Sequence, residues 1–262
     1  MPLLRIGLLF LLSAAIPAQG EPCRAESGPH TAALVELYTS EGCDSCPPAD
    51  RWLSGLEGRG YGHDRVVPIA LHVDYWDYIG WKDPYARAAF SSRQRKLAQV
   101  MRGKVVYTPQ VLVQGEDFRR WYTPAFDEAV ARINARPARA SISLALEGGP
   151  ARAFVVEAKA SLLDPAQRQD LGLYLASYEN KLVSPVQAGE NRGRTLAHDY
   201  VVFEWVGPIA FPQEGRLAVR QTLPLLPKAV RAHSGVVAFV QNRASAEVLQ
   251  ALMLPACRSG PA

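Results

Sequence analysis

Beyond its first twenty residues the 262-residue sequence has no apolar run long enough to span a bilayer, no block of like charges, no internal repeat and no low-complexity tract. With 48% hydrophobic and 21% charged residues it has the composition of a folded globular chain rather than a disordered one. The formal charge of +4 is mild, and Lys and Arg are spread along the chain. The nearest thing to a basic stripe, Arg93-Gln94-Arg95-Lys96, reads as a solvated helix face, so no nucleic-acid partner is expected. Cysteine is scarce as well, with four residues, and only one Cys-x-x-Cys pair occurs. A structural zinc site needs four ligands, commonly two such pairs or one pair with two nearby histidines. Here the five histidines, His30, His63, His72, His198 and His233, are scattered.

What is present begins with a leader-like segment. Arg5 precedes an apolar run from Ile6 to Ile16, and Ala18-Gln19-Gly20 offers small residues for cleavage, so residues 1–20 are expected to be a secretory signal and the mature protein periplasmic or secreted. An oxidising compartment permits disulfides. Four cysteines admit three pairings. Cys43 with Cys46 is the local one, which leaves Cys23 and Cys257 near the mature ends, either bridged across almost the whole chain or free.

Between His30 and Arg136 strand-like and helix-like runs alternate. Ala32–Tyr38 and Val66–Val73 read as buried strands flanking a helix at Ala49–Leu56, and alternation of this kind predicts a parallel pair. A helix is expected over Ala86–Met101, strand on both sides of Thr108-Pro109, and a further helix after Thr123-Pro124. Arg136-Pro137-Ala138-Arg139 marks a boundary. Beyond it short runs at Ser141–Leu146, Ala153–Ala160, Leu171–Tyr178, Tyr200–Val206, Leu217–Leu223 and Val236–Gln241 are punctuated by Gly, Pro and Asn, as in a β-sandwich. The expected units are therefore residues 30–137, α/β, and 140–257, mainly β. Gly189–Thr195, which carries Arg192 and Arg194, reads as an exposed turn between strands.

The chemistry concentrates at Cys43-Asp44-Ser45-Cys46, between the first strand and Pro47-Pro48. A cysteine at a helix N-terminus lies beside orphan amides and the positive end of the dipole, which favour thiolate, the nucleophile of disulfide exchange. Asp44 opposes that effect. An aromatic stretch, Asp74 to Tyr85, either caps the dithiol, with Trp76 in a wall that positions a substrate, or simply packs a long loop. His72 ends a strand; with Cys43 and Cys46 it would make a three-ligand copper or zinc site.

Leu34-Val35-Glu36-Leu37-Tyr38, the Cys43-x-x-Cys46 pair opening a helix, and Thr108-Pro109 before a strand together resemble the thioredoxin fold. The resemblance implies that Cys43 is an exposed attacking cysteine and Cys46 the resolving one. It also implies that Thr108 offers backbone to a substrate, that Pro109 covers the sulfurs, and that Glu36 is a buried acid accepting the proton of Cys46. The longer run Val35 to Asp50, with His72-Val73-Asp74-Tyr75-Trp76, Gly80-Trp81-Lys82-Asp83-Pro84, Val106-Tyr107-Thr108-Pro109-Gln110 and Gly189 to Leu196, resembles an uncharacterised family of secreted bacterial thioredoxin-like proteins, domain of unknown function 1223. The sequence thus predicts a thioredoxin-like α/β domain followed by a sandwich-like β domain. The expected activity is thiol–disulfide exchange with protein or small-molecule thiols, using no cofactor, with a membrane electron-transfer partner where it reduces. A metal-handling module on the same cysteines and a redox-inert scaffold are the alternatives.

Overall fold

Ala33–Thr39 and Val66–His72 are each buried along their entire length, and a strand buried on both faces needs hydrogen-bonded neighbours on both edges. The computed structural model, which describes residues 23–103, 105–147, 152–163 and 169–257, supplies those neighbours from both halves of the chain. The expected leader, residues 1–20, lies outside the described residues.

The first half contributes β1 (Cys23–Glu26), β2 (Ala33–Thr39), α1 (Pro47–Ser54), β3 (Val66–His72), α2 (Ala88–Val100), β4 (Gln110–Val113), β5 (Glu116–Asp117) and α3 (Ala125–Asn134). The second half contributes β6 (Ala140–Glu147), β7 (Ala153–Leu162), β8 (Leu171–Glu179), β9 (Leu182–Pro185), β10 (Thr195–His198), β11 (Val201–Ala210), β12 (Arg216–Pro224), β13 (Ser234–Asn242) and β14 (Val248–Pro255). One eight-stranded sheet runs β14-β13-β8-β11-β3-β2-β4-β5. A four-stranded sheet runs β1-β6-β7-β12, and β9 pairs with β10.

The expectation of a thioredoxin-like α/β domain followed by a separate mainly β domain is overturned by this topology. β2 and β3 are parallel, as the alternation predicts. The free edge of β3, however, is taken by β11, in parallel at Val201↔Ala70, and the Ala70 amide donates to the Tyr200 carbonyl at 2.8 Å. The chain is mostly β, and its main sheet crosses the 137–140 boundary. An uncovered edge of two buried strands would be a pairing liability; here the second half closes it.

Alternation along β8 and β13 divides the interior in two. Tyr174, Ala176, Tyr178, Val237 and Phe239 face the core shared with β2, β3 and α2. Leu173, Leu175, Val236, Ala238 and Val240 face a second core, against Ile142 and Leu144 of β6 and Phe154 and Val156 of β7. Cys23 and Cys257 form a disulfide, with Cα atoms 5.6 Å apart, which ties β1 to the residues just past β14.

Candidate functional site

The loop Ser40–Cys46 leaves the C-terminal end of β2 and delivers the dithiol to the start of α1. Cys43 and Cys46 are joined, with Cα atoms 5.5 Å apart. The Cys43 amide donates to the Ser40 carbonyl at 3.2 Å and the Cys46 amide to the Cys43 carbonyl at 3.3 Å. α1 begins at Pro47, two residues earlier than expected, with prolines at its first two positions. Neither proline has an N–H, and the amides of Ala49 and Asp50 both donate to the Cys46 carbonyl, at 2.9 and 3.1 Å. The orphan amides expected beside Cys43 are therefore removed or already engaged. The Ser45 hydroxyl, 3.3 Å from the Cys43 sulfur, is a neighbouring donor for a Cys43 thiolate. Carboxylates accumulate nearby, since the Asp44 amide donates to Glu190 at 3.0 Å.

Both cysteines are fully buried, whereas Cys43 was expected to be exposed. Asp44 and Ser45 between them face solvent. Part of the cover is the aromatic stretch. A Cβ added at Gly42 would lie 3.2 Å from Ile79 and 3.3 Å from the Trp76 side chain, so the stretch rests on the dithiol loop. The Trp76 indole N–H donates to the Thr108 hydroxyl at 2.6 Å, which links the loop to the cis Thr108–Pro109 bond ahead of β4. The rest of the cover comes from the second half: the buried Asn191 amide donates to the carbonyls of Glu41 (2.9 Å) and Cys43 (2.8 Å). The Gly189–Thr195 segment is thus a clamp on the dithiol loop rather than a free turn.

Glu36 is buried on the opposite face of β2 from α1, because Thr39, three residues on, is the one that reaches Asp50 of α1. Its carboxylate accepts from Arg93 Nε and a terminal nitrogen at 2.8 and 2.9 Å and from the Tyr38 hydroxyl at 3.0 Å. The Arg93 guanidinium in turn stacks on Tyr174, Trp205 and Phe239. Burial would lower the Arg93 pKa, yet the Glu36 charge holds it above its ordinary value. Burial, reinforced by Glu36, likewise raises the Tyr38 phenol.

A buried polar cluster that the sequence did not indicate lies beneath the dithiol loop. It comprises Glu41, Asp50, His72, Asp83 and His198. Asp50 is one helical turn past Cys46, and Glu41 two residues before Cys43. His72 Nδ1 meets Asp83 at 2.7 Å, and the same Asp83 oxygen accepts the Glu41 amide at 2.8 Å. His198 Nε2 meets Glu41 at 3.2 Å, and the Trp81 indole donates to the other Glu41 oxygen at 2.8 Å. Burial pulls the His72 imidazolium down, but the Asp83 carboxylate outweighs it and raises His72 to about 9. Burial pushes Asp50 up, against the opposing pull of His198 and His72. His72 is not gathered with Cys43 and Cys46; among the described residues the ligand atoms that converge are those of Asp50, His72 and His198. Scattered sequence positions hid this cluster, and only the i,i+4 spacing of Cys46 and Asp50 on one helix hinted at it.

Solved structures resemble the chain in fold. A crystal structure of a protein from Agrobacterium tumefaciens has a TM-score of 0.64 at 21% identity, covering 90% of this chain and 99% of its own. HBP35 of Porphyromonas gingivalis has a TM-score of 0.68 at 15% identity, covering 90% of this chain and 78% of its own. A search of curated proteins found no match. The family model described as "Protein of unknown function (DUF1223)" matches residues 34–241, a span that holds the dithiol, its clamp and the buried cluster, and the chain belongs to that family.

Proposed function

We propose that the protein is an exported thiol–disulfide oxidoreductase whose dithiol donates electrons to clients. What supports this reading is the Cys43–Cys46 bridge itself, closed at the start of α1 and linked through Trp76 to Thr108. Two disulfides fit a periplasmic or secreted location. The direction follows from the donors around Cys43. A strong oxidant stabilises its reduced form as thiolate. Here two prolines remove amides, the remaining first-turn amides are engaged, and Asp44 and Glu190 bring negative charge, so the thiolate gains little and the disulfide is the favoured form.

The Cys43 thiolate attacks one sulfur of a client disulfide, forming a Cys43–client bond and releasing one client thiolate. Cys46 then attacks Cys43, closing the intramolecular bridge and releasing the second. Two electrons and two protons pass to the client, and a thiol-based membrane partner restores the dithiol. Because both cysteines are buried, the aromatic stretch and the Asn191 clamp must part for a client sulfur to enter.

That burial also favours a second reading, a redox-inert structural bridge. Reduced mature protein mixed with insulin separates the two. Oxidoreduction predicts turnover with a thiol donor, loss of turnover in Cys43→Ser, and a trapped mixed disulfide in Cys46→Ser. A Cys43–Cys46 bridge that resists dithiothreitol until the protein unfolds would establish the inert reading.

A further inference from the structure

The buried cluster has a feature that disulfide exchange does not use. Carboxylates accept hydrogen bonds, so the contact with Asp83 places the His72 proton on Nδ1, and the contact with Glu41 places the His198 proton on Nε2. The two remaining ring nitrogens, His72 Nε2 and His198 Nδ1, are buried and have no hydrogen-bond partner among the described residues. Both histidines belong to the converging group: one ligand atom from each and an Asp50 carboxylate oxygen all lie within 4.8 Å of one another. His198 Nδ1 is 3.9 Å from Asp50 Oδ1, too far for a hydrogen bond. The second Asp50 oxygen accepts from the Thr39 hydroxyl at 3.1 Å, which fixes the carboxylate.

With both imidazoles neutral, as metal ligation requires, three lone-pair atoms face one another. An additional proton on His72 would leave its Nε2–H without an acceptor. A cation would engage all three at once. Zinc bonds to nitrogen and carboxylate oxygen are about 2.0–2.2 Å long, which sets tetrahedral ligands about 3.4 Å apart. The observed group, 3.9 Å between His198 Nδ1 and Asp50 Oδ1 and within 4.8 Å throughout, must draw together by up to about 1.4 Å to reach that. The outer contacts also suit a metal: each imidazole gives its other N–H to a carboxylate, the usual support of a histidine ligand. Three carboxylates, Asp50, Asp83 and Glu41, are buried there beside two imidazoles, and a divalent ion offsets that charge.

The geometry points to a buried zinc-class site formed by Asp50 of α1, His72 at the end of β3 and His198 of β10. It takes a divalent first-row transition cation with two nitrogen ligands and one oxygen, leaving a fourth position for water. Two ligands come from the first half of the chain and one from the second, so the ion would pin β10 beneath the dithiol loop. The site uses no cysteine sulfur and is independent of whether the dithiol exchanges.

Chelator-stripped mature protein with both disulfides intact, and therefore without free thiols, is titrated with zinc and measured by equilibrium dialysis and elemental analysis. About one zinc per chain is expected, with a raised melting temperature. Asp50→Asn, which keeps the shape and the Thr39 contact, and His72→Gln should each weaken binding at least tenfold, while His63→Gln should not. A wild-type readout covers variants that fail to fold: in 15N spectra of the histidine side chains, zinc should move His72 and His198 and leave His30, His63 and His233 in place. Absence of zinc from the folded oxidised protein, equal binding by Asp50→Asn, or binding that appears only after the cysteines are reduced overturns the proposal.

Discussion

The Glu36 carboxylate accepts from two guanidinium nitrogens and a phenol, on the sheet face away from α1, the dithiol's helix. Glu36 is one half of a buried ion pair whose other half, Arg93, is boxed by aromatic residues of β8, β11 and β13. Removing one partner of such a pair strands the other charge, at a cost of about 3–5 kcal/mol. Glu36→Gln should therefore lower the free energy of unfolding in urea by about 3 kcal/mol while changing the rate of dithiol exchange in the folded protein less than twofold. A tenfold slower exchange with unchanged stability would return Glu36 to the dithiol. The residue type was readable, because an acid inside an all-apolar strand must find a partner. The partner was not, because Arg93 lies 57 positions away on a helix whose basic residues read as a solvated face.

Most elements were legible because their signal is local. The apolar runs of β2, β3, β8, β11 and β13 and the helical spacing of α2 and α3 carry their own periodicity. The short edge strands β1, β9 and β10 lack it, since four half-exposed residues contain no distinctive period. Their partners fix them, and β9 and β10 are the two that bracket the clamp. Polar Gly189–Thr195 has the composition of a free turn, yet Asn191 is fully buried because its side-chain amide satisfies two carbonyls of the dithiol loop. Asn191→Ala removes one donor from each carbonyl, leaving Cys43 with the Cys46 amide, and should loosen the loop by about 1–3 kcal/mol. Reduction of Cys43–Cys46 by dithiothreitol under native conditions should then run at least fivefold faster. An unchanged rate would mean that the aromatic stretch alone controls access.

The two disulfides act on the molecule at different scales. Cys43–Cys46 closes a ring across a separation of three residues and restricts the unfolded chain little, a loop-entropy contribution of about 2 kcal/mol. Cys23–Cys257 spans 234 residues, for which the same relation gives about 5 kcal/mol as a ceiling. It also anchors β1, a four-residue strand held to the four-stranded sheet only through β6, to the end of β14 in the eight-stranded sheet. The bridge thus joins the two sheets around the second core, while the first core rests on strands from both halves. Cys23→Ser/Cys257→Ser should lower the melting temperature by roughly 10 °C, at about 2–4 °C per kcal/mol for a chain of this size. Hydrogen exchange should show β1 opening before the β2–β3 pair. Cys43→Ser/Cys46→Ser should shift the melting temperature by less than half as much. The reverse order would mean that the dithiol loop, and not the closure of the chain ends, holds the two halves together.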